Sequence, residues 1–190
     1  MANTEPYQVA FENEYVRIVH VNLAKGPTPA TYTPAALPLI RIDLDSKRTH
    51  YCATAPDDAA NVKASSVREI RVELRAAPET AQSSLLDEVR DAVRVDPARY
   101  KIDFENDRVR VVRLGFGPRE KGLMVMHPPR VLVTLTDVAV KLLFDDGHRD
   151  ERGAPAGVAG WLDTETLQTE NAAAEPLEVV LVEPKSSRGF

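Results

Sequence analysis

The chain has one cysteine, Cys52, one tryptophan, Trp161, and four histidines in 190 residues. A lone cysteine closes no internal disulfide, and no histidine-activated motif surrounds it, so Cys52 reads as a buried thiol rather than a nucleophile. No apolar run approaches the roughly 20 residues that span a bilayer. There is no basic excess either: 24 Lys and Arg stand against 29 Asp and Glu, for a net charge of −5, and the cations are scattered rather than gathered into a stripe. That distribution argues against nucleic acid as a partner. The opening segment MANTEPYQVAFENEY has neither the basic start nor the apolar stretch of a secretion signal, and a cytoplasmic location without membrane attachment is expected.

What is present is the composition of a soluble globular protein, 43% hydrophobic and 28% charged, with a sequence that repeats itself. Tyr7–Leu23 (YQVAFENEYVRIVHVNL) set over Tyr100–Phe116 (YKIDFENDRVRVVRLGF), at an offset of 93, agrees at seven of 17 positions. The shared FEN-x-x-VR-[IV]-V predicts a strand, a tight turn at Glu-Asn and a second strand of β-branched residues. A second block, Tyr51–Arg75, matches Trp161–Lys185 without gaps at an offset of 110, so Tyr51 meets Trp161 and VREIRVELR meets LEVVLVEPK. Between the blocks the second half holds 17 residues more, since 110 − 93 = 17. They fall around Val138–Gly160, where Asp146-Gly147 signals a hairpin, so a central hairpin is expected to be lost or shortened in the first half.

Between the halves, Ser84 and Asp87 resemble a capping box, and Leu85, Val89 and Val93 repeat every fourth residue before Pro97. A linker helix over Ser83–Val95 is expected, its apolar face against a barrel.

The segments YKIDFENDRVRVVRLGFGPREKGLMVMHPPRVLVTLTD and GWLDTETLQTENAAAEPLEVVLVEPK, with Gly153, Gly157 and Gly160 before the tryptophan, resemble the pattern of cupin-domain proteins. The likeness covers Tyr100–Lys185 well and Tyr7–Arg75 in its first and last strands. It implies an all-β chain of two tandem cupin-like double-stranded β-helix (jelly-roll) barrels joined by a short α-helix: a reduced N-terminal barrel over 1–76, a linker over 77–99 and a C-terminal barrel over 100–190. Such barrels commonly pair, so a homo-oligomer, a dimer, is implied. Members usually hold a divalent metal between histidines of converging strands. Carried onto this chain, those histidines fall on Val125, His127 and Leu167, a possible carboxylate falls on Val131 or Leu132, and the first half offers Pro34 and Asp57. One imidazole among apolar neighbours does not hold a divalent ion against water, so no metal and no other cofactor is expected. His50 and Cys52, one residue apart on a strand, lack a third ligand.

The expected pocket of the C-terminal barrel therefore comprises Val125, Met126, His127, Arg130, Trp161 and Leu167. An apolar cavity with a few polar groups suits a small organic molecule, although the same residues can fill a core and leave a scaffold. His127 is the candidate acid or base, against the plainer reading of a hydrogen-bonded relic. Arg130 and Arg119 offer planar contacts for an anion, or are solvated charges. Trp161 stacks on a ligand or closes the core. The main expectation is a metal-free binding protein. The alternatives are a metal-independent isomerase or cyclase using His127, and a metal-dependent enzyme with ligands outside these motifs; whether the chain is an enzyme stays open.

Overall fold

In the computed structural model the described residues are 6–24, 38–54, 66–75 and 91–185. The chain divides into two compact units, Met1–Ala76 and Ala77–Phe190. The described part of the first unit is one antiparallel sheet of β1 (Tyr7–Glu12), β2 (Val16–Leu23), β3 (Leu39–Asp43), β4 (Thr49–Cys52) and β5 (Val67–Leu74), in the order β1-β2-β5-β3-β4.

The second unit begins, in its described part, with one helical turn, α1 (Ala92–Val95), whose N-cap Asp91 accepts the Val93 N–H through its side chain. The remainder of the expected linker helix, Ser83 to Arg90, lies outside the described residues. Nine strands follow: β6 (Tyr100–Glu105), β7 (Val109–Phe116), β8 (Lys121–His127), β9 (Arg130–Thr134), β10 (Val138–Phe144), β11 (Arg149–Ala154), β12 (Ala159–Leu162), β13 (Glu165–Asn171) and β14 (Leu177–Pro184). They form a five-stranded sheet, β12-β9-β14-β7-β6, and a four-stranded sheet, β11-β10-β13-β8. Val112, Leu114 and Phe116 of β7, Leu177, Val179 and Leu181 of β14, Val125 of β8, Tyr100 and Ala92 make one buried cluster between them. This is a jelly roll closed over an aliphatic interior.

The repeat is exact to the level of single hydrogen bonds. Tyr7 pairs with Val21 as Tyr100 pairs with Leu114, and the bulge between Val9 and Phe11 recurs between Ile102 and Phe104. Asn13 Oδ1 accepts the Tyr15 and Val16 N–H groups, and Asn106 Oδ1 accepts those of Arg108 and Val109. A polar side chain thus closes each tight turn, as the FEN motif implies. Replacing Asn106→Ala removes both acceptors, and a loss of about 1 kcal/mol in urea unfolding is expected, by analogy with capping side chains.

The five strands of the first unit match β6, β7, β9, β12 and β14 in order and register. The hairpin missing from the first half is β10-β11: β3 runs into β4 through residues 44–48, where Asp43 Oδ1 accepts the Asp45 and Ser46 N–H groups. Segments matching β8 and β13, including Pro34 and Asp57, lie outside the described residues.

Candidate functional site

Side chains alternate along a strand, so parity decides which residues enter the C-terminal barrel. On β7 the core-facing set that ends in Val112, Leu114 and Phe116 begins with Arg110; on β14 the set of Leu177, Val179 and Leu181 continues to Glu183. On β8 Val125 and His127 share the inward face, and on β9 Arg130 shares it with Leu132. Register completes the set, because Glu165 lies opposite His127 and Leu167 opposite Val125. One end of an aliphatic interior therefore carries Tyr100, Arg110, His127, Arg130, Glu165 and Glu183.

Two of the six expected pocket residues are not in it. Met126 lies between Val125 and His127 and points to the other face of β8; its backbone makes a parallel bridge to Asp91. Trp161 pairs with Val131, not with Leu132 or Arg130, so it stands on the opposite face of the five-stranded sheet, where its Nε1–H donates to Asp163 Oδ1 at 3.0 Å. Arg119, the other candidate anion contact, is engaged elsewhere. With φ 58° its backbone N–H reaches the Ala173 carbonyl and its guanidinium the Ala172 carbonyl, so it fastens the loop before β14. His50 is exposed, and no group of three His, Cys, Asp or Glu side chains among the described residues is arranged for a metal ion.

His127 is 3% exposed, and its Nε2 lies 3.4 Å from Tyr100 Oη, with the rings tilted and their centroids 5.5 Å apart. Burial, then the charges of Arg130 and Arg110, hold the imidazole well below its ordinary pKa, so it is neutral at pH 7. Burial pushes the Tyr100 phenol upward. Arg110 Nε donates to Glu183 at 2.6 Å and its Nη1 to Asp91 at 2.5 Å. Burial raises the Glu183 carboxyl, and Arg110 opposes it. Arg130 donates through Nη1 to the carbonyls of Pro128 and Asp163 and through Nη2 to Glu165, whose other oxygen serves Arg152.

Tyr100, Arg110 and Glu183 went unmarked as site residues, yet the repeat carried their signal. Tyr7 matches Tyr100, Arg17 matches Arg110 and Glu73 matches Glu183. Arg17 and Glu73 are register partners 3.6 Å apart, as Arg110 and Glu183 are register partners in the second unit.

An imidazole with a lower pKa folded than unfolded takes up a proton more readily once the chain unfolds, so stability falls as pH drops below about 6.5. Glu183, raised by folding, acts in the opposite sense above the ordinary carboxylate range. Around His127 stand Tyr100 of β6, Arg110 of β7, Arg130 of β9, Glu165 of β13 and Glu183 of β14. Urea unfolding at pH 5 and pH 7 should therefore show a smaller pH 5 deficit in His127→Leu than in the unsubstituted chain.

No family model matches the sequence, and neither does any curated protein. Solved structures do. A cupin 2 conserved barrel domain protein from Leptotrichia buccalis superposes with a TM-score of 0.50 at 14% identity, over 94% of this chain and 88% of its own. The protein YhaK from Escherichia coli gives 0.50 at 13% identity, over 95% and 92%. The chain has the cupin fold. The divalent metal that the resemblance implies does not fit the described residues of the C-terminal barrel. The ligand positions present buried alkyl groups at Val125 and Leu167, and the remaining imidazole sits beside two guanidinium groups, which disfavour a second cation. The surface groove on the outer side of the barrel's four-stranded sheet, ≈390 Å³, is separate from this interior. Its central row, Lys121, Glu170, Lys141 and Glu151, alternates in sign across four strands as a solvated face does.

Proposed function

We propose that the C-terminal barrel binds a small organic molecule without a metal ion. The observation that carries this reading is a buried polar cluster, Tyr100, His127 and Arg130 with the Arg110–Glu183 pair, set at one end of an interior otherwise lined by Val, Leu and Phe. A few polar groups converging among apolar side chains are the usual makeup of a small-molecule site, and since Tyr100, His127, Arg130 and Glu183 are at most 4% exposed, a ligand reaches them only as the barrel strands part. Acid–base catalysis by His127 and Tyr100 fits less well. Burial moves the base down and the acid up, away from the neutral range where proton transfer is most effective.

The full chain, purified without chelators, is expected to contain no stoichiometric manganese, iron, nickel or zinc, and none of these ions should raise its Tm. Native mass spectrometry of the same material should show a small organic adduct that is lost on denaturation. A stoichiometric metal that disappears in His127→Ala would overturn the metal-free reading, and the lack of any adduct would count against ligand binding.

A further inference from the structure

The two sheets of the C-terminal barrel are joined unequally at their two ends. The chain crosses from one sheet to the other after β7, β9, β11 and β13 at the aliphatic end, but only after β8 and β12 at the end that carries His127. The aliphatic end is also stitched loop to loop. Asn171 Nδ2 donates to the Gly117 and Glu175 carbonyls, the Arg119 N–H reaches the Ala173 carbonyl, and the Ala156 N–H reaches Asp137 Oδ1. At the polar end, among the described residues, no main-chain hydrogen bond joins one sheet to the other; those of Asp145 to Thr166 and Lys185 to Arg108 each stay within a sheet. Side chains make the ties there. Beside α1, Asp91 bridges to β8 and takes Arg110 of β7. Across the two crossing turns the tie is Arg130, which donates through Nη1 to the Pro128 and Asp163 carbonyls and through Nη2 to Glu165 at 2.8 Å.

Glu165 is shared between two arginines of unequal burial. The side chains of Arg130, Glu165 and Arg152 are 4%, 18% and 41% exposed, a row that climbs from the interior to solvent. Arg152 also holds Asp150 at 2.9 Å and lies over the Phe144 ring, so it keeps partners when it releases Glu165. A pair this open to water is worth about 0–1 kcal/mol, little beside a strand ladder. We infer that the C-terminal barrel opens locally at its polar end, and that Glu165 is the latch that closes it on Arg130 and Arg152. Local opening draws on the part of a fold with the fewest protected main-chain ties. It provides the parting of strands that the binding reading requires, while resting on the barrel alone.

Diethyl pyrocarbonate acylates neutral imidazoles, and peptide mass spectrometry reads each histidine separately. On the full chain at pH 7, with the exposed His50 as internal reference, the His127 rate should be flat in low urea and climb with the global slope only near the unfolding transition. Glu165→Gln, which keeps the shape and drops the charge, should speed His127 labelling at least fivefold without urea and leave His50 unchanged. Asn171→Ala, which cuts ties at the aliphatic end, should lower the unfolding midpoint and hold the His127 rate without urea within twofold. A His127 rate that follows global unfolding from the first addition of urea, or equal acceleration by Glu165→Gln and Asn171→Ala, overturns local opening at this end. A rate untouched by Glu165→Gln overturns the latch. Neither result bears on the organic adduct sought above, so the latch and the binding reading fail separately.

Discussion

Glu69→Ala is expected to lower the stability of the N-terminal unit by about 3–5 kcal/mol, the range for removing one partner from a buried ionic group. Glu69 is almost fully buried and holds two arginines: Arg41 through Nε and Nη2 at 2.8 and 2.6 Å, and Arg71 through Nε at 2.5 Å. Arg41 and Arg71 are register partners on β3 and β5, so without the carboxylate two like charges face each other, one of them with no exposed surface. The second unit shows what the same positions do without charge. By register, Glu69, Arg71 and Arg41 correspond to Val179, Leu181 and Leu132, which belong to or pack on the aliphatic core. The triple variant Glu69→Val, Arg71→Leu and Arg41→Leu is accordingly expected to recover most of what Glu69→Ala loses, since replacing a whole buried ionic group by apolar residues is often neutral or better. Urea dependence of hydrogen exchange at the β2, β3 and β5 amides reports this unit separately. A Glu69→Ala loss below about 1 kcal/mol would mean that the group behaves as a solvated surface pair.

This charged interior was invisible in the sequence, for a definite reason. VREIRVELR alternates between charged and apolar residues, the pattern of a strand with one wet face. Period 2 shows that the faces of β5 differ and does not show that both are covered; Glu69, Arg71 and Glu73 are as buried as Ile70 and Val72. The frame itself was legible. FEN-x-x-VR-[IV]-V predicted both hairpins, and the 17-residue difference in offset located the lost hairpin: residues 138–154 span β10 and β11, and β3 to β4 is the direct connection that replaces them. The makeup of the buried polar cluster was half legible. Val125, His127 and Leu167 share the inward face of the four-stranded sheet by parity and register, and Arg130 faces the same interior from the five-stranded sheet. Met126 and Trp161 were drawn in by sequence proximity, and on a strand the immediate neighbour of an inward residue points outward. Tyr100, Arg110 and Glu183 needed the comparison of the two halves, in which a tyrosine and a cross-strand arginine–glutamate pair recur.

That retained pair should be the costliest polar contact to break in the C-terminal barrel. Arg110→Met leaves Glu183, 4% exposed, and Asp91 without their shared cation, and a loss of about 3–5 kcal/mol is expected at neutral pH. The loss should depend on pH. Glu183 is already raised by burial, with Arg110 the principal counterweight, so removing Arg110 raises it further. A carboxyl with a higher pKa folded than unfolded binds more protons in the native state above about 4.5, and stability then falls as pH rises through that window. The Arg110→Met deficit should accordingly be larger at pH 8 than at pH 5, as followed by the fluorescence of Trp161 during urea unfolding. His127 changes as well, because losing the Arg110 charge lets its pKa move back toward 6.5 and weakens its own acid sensitivity. Glu183→Leu should cost less than Arg110→Met, since Arg110 keeps Asp91. The double variant should be more stable than Arg110→Met alone, because removing Glu183 relieves the carboxylate that Arg110→Met strands. If the two substitutions are simply additive at pH 8, Arg110 and Glu183 are not energetically coupled, and the persistence of the pair in both halves needs a cause other than their mutual attraction.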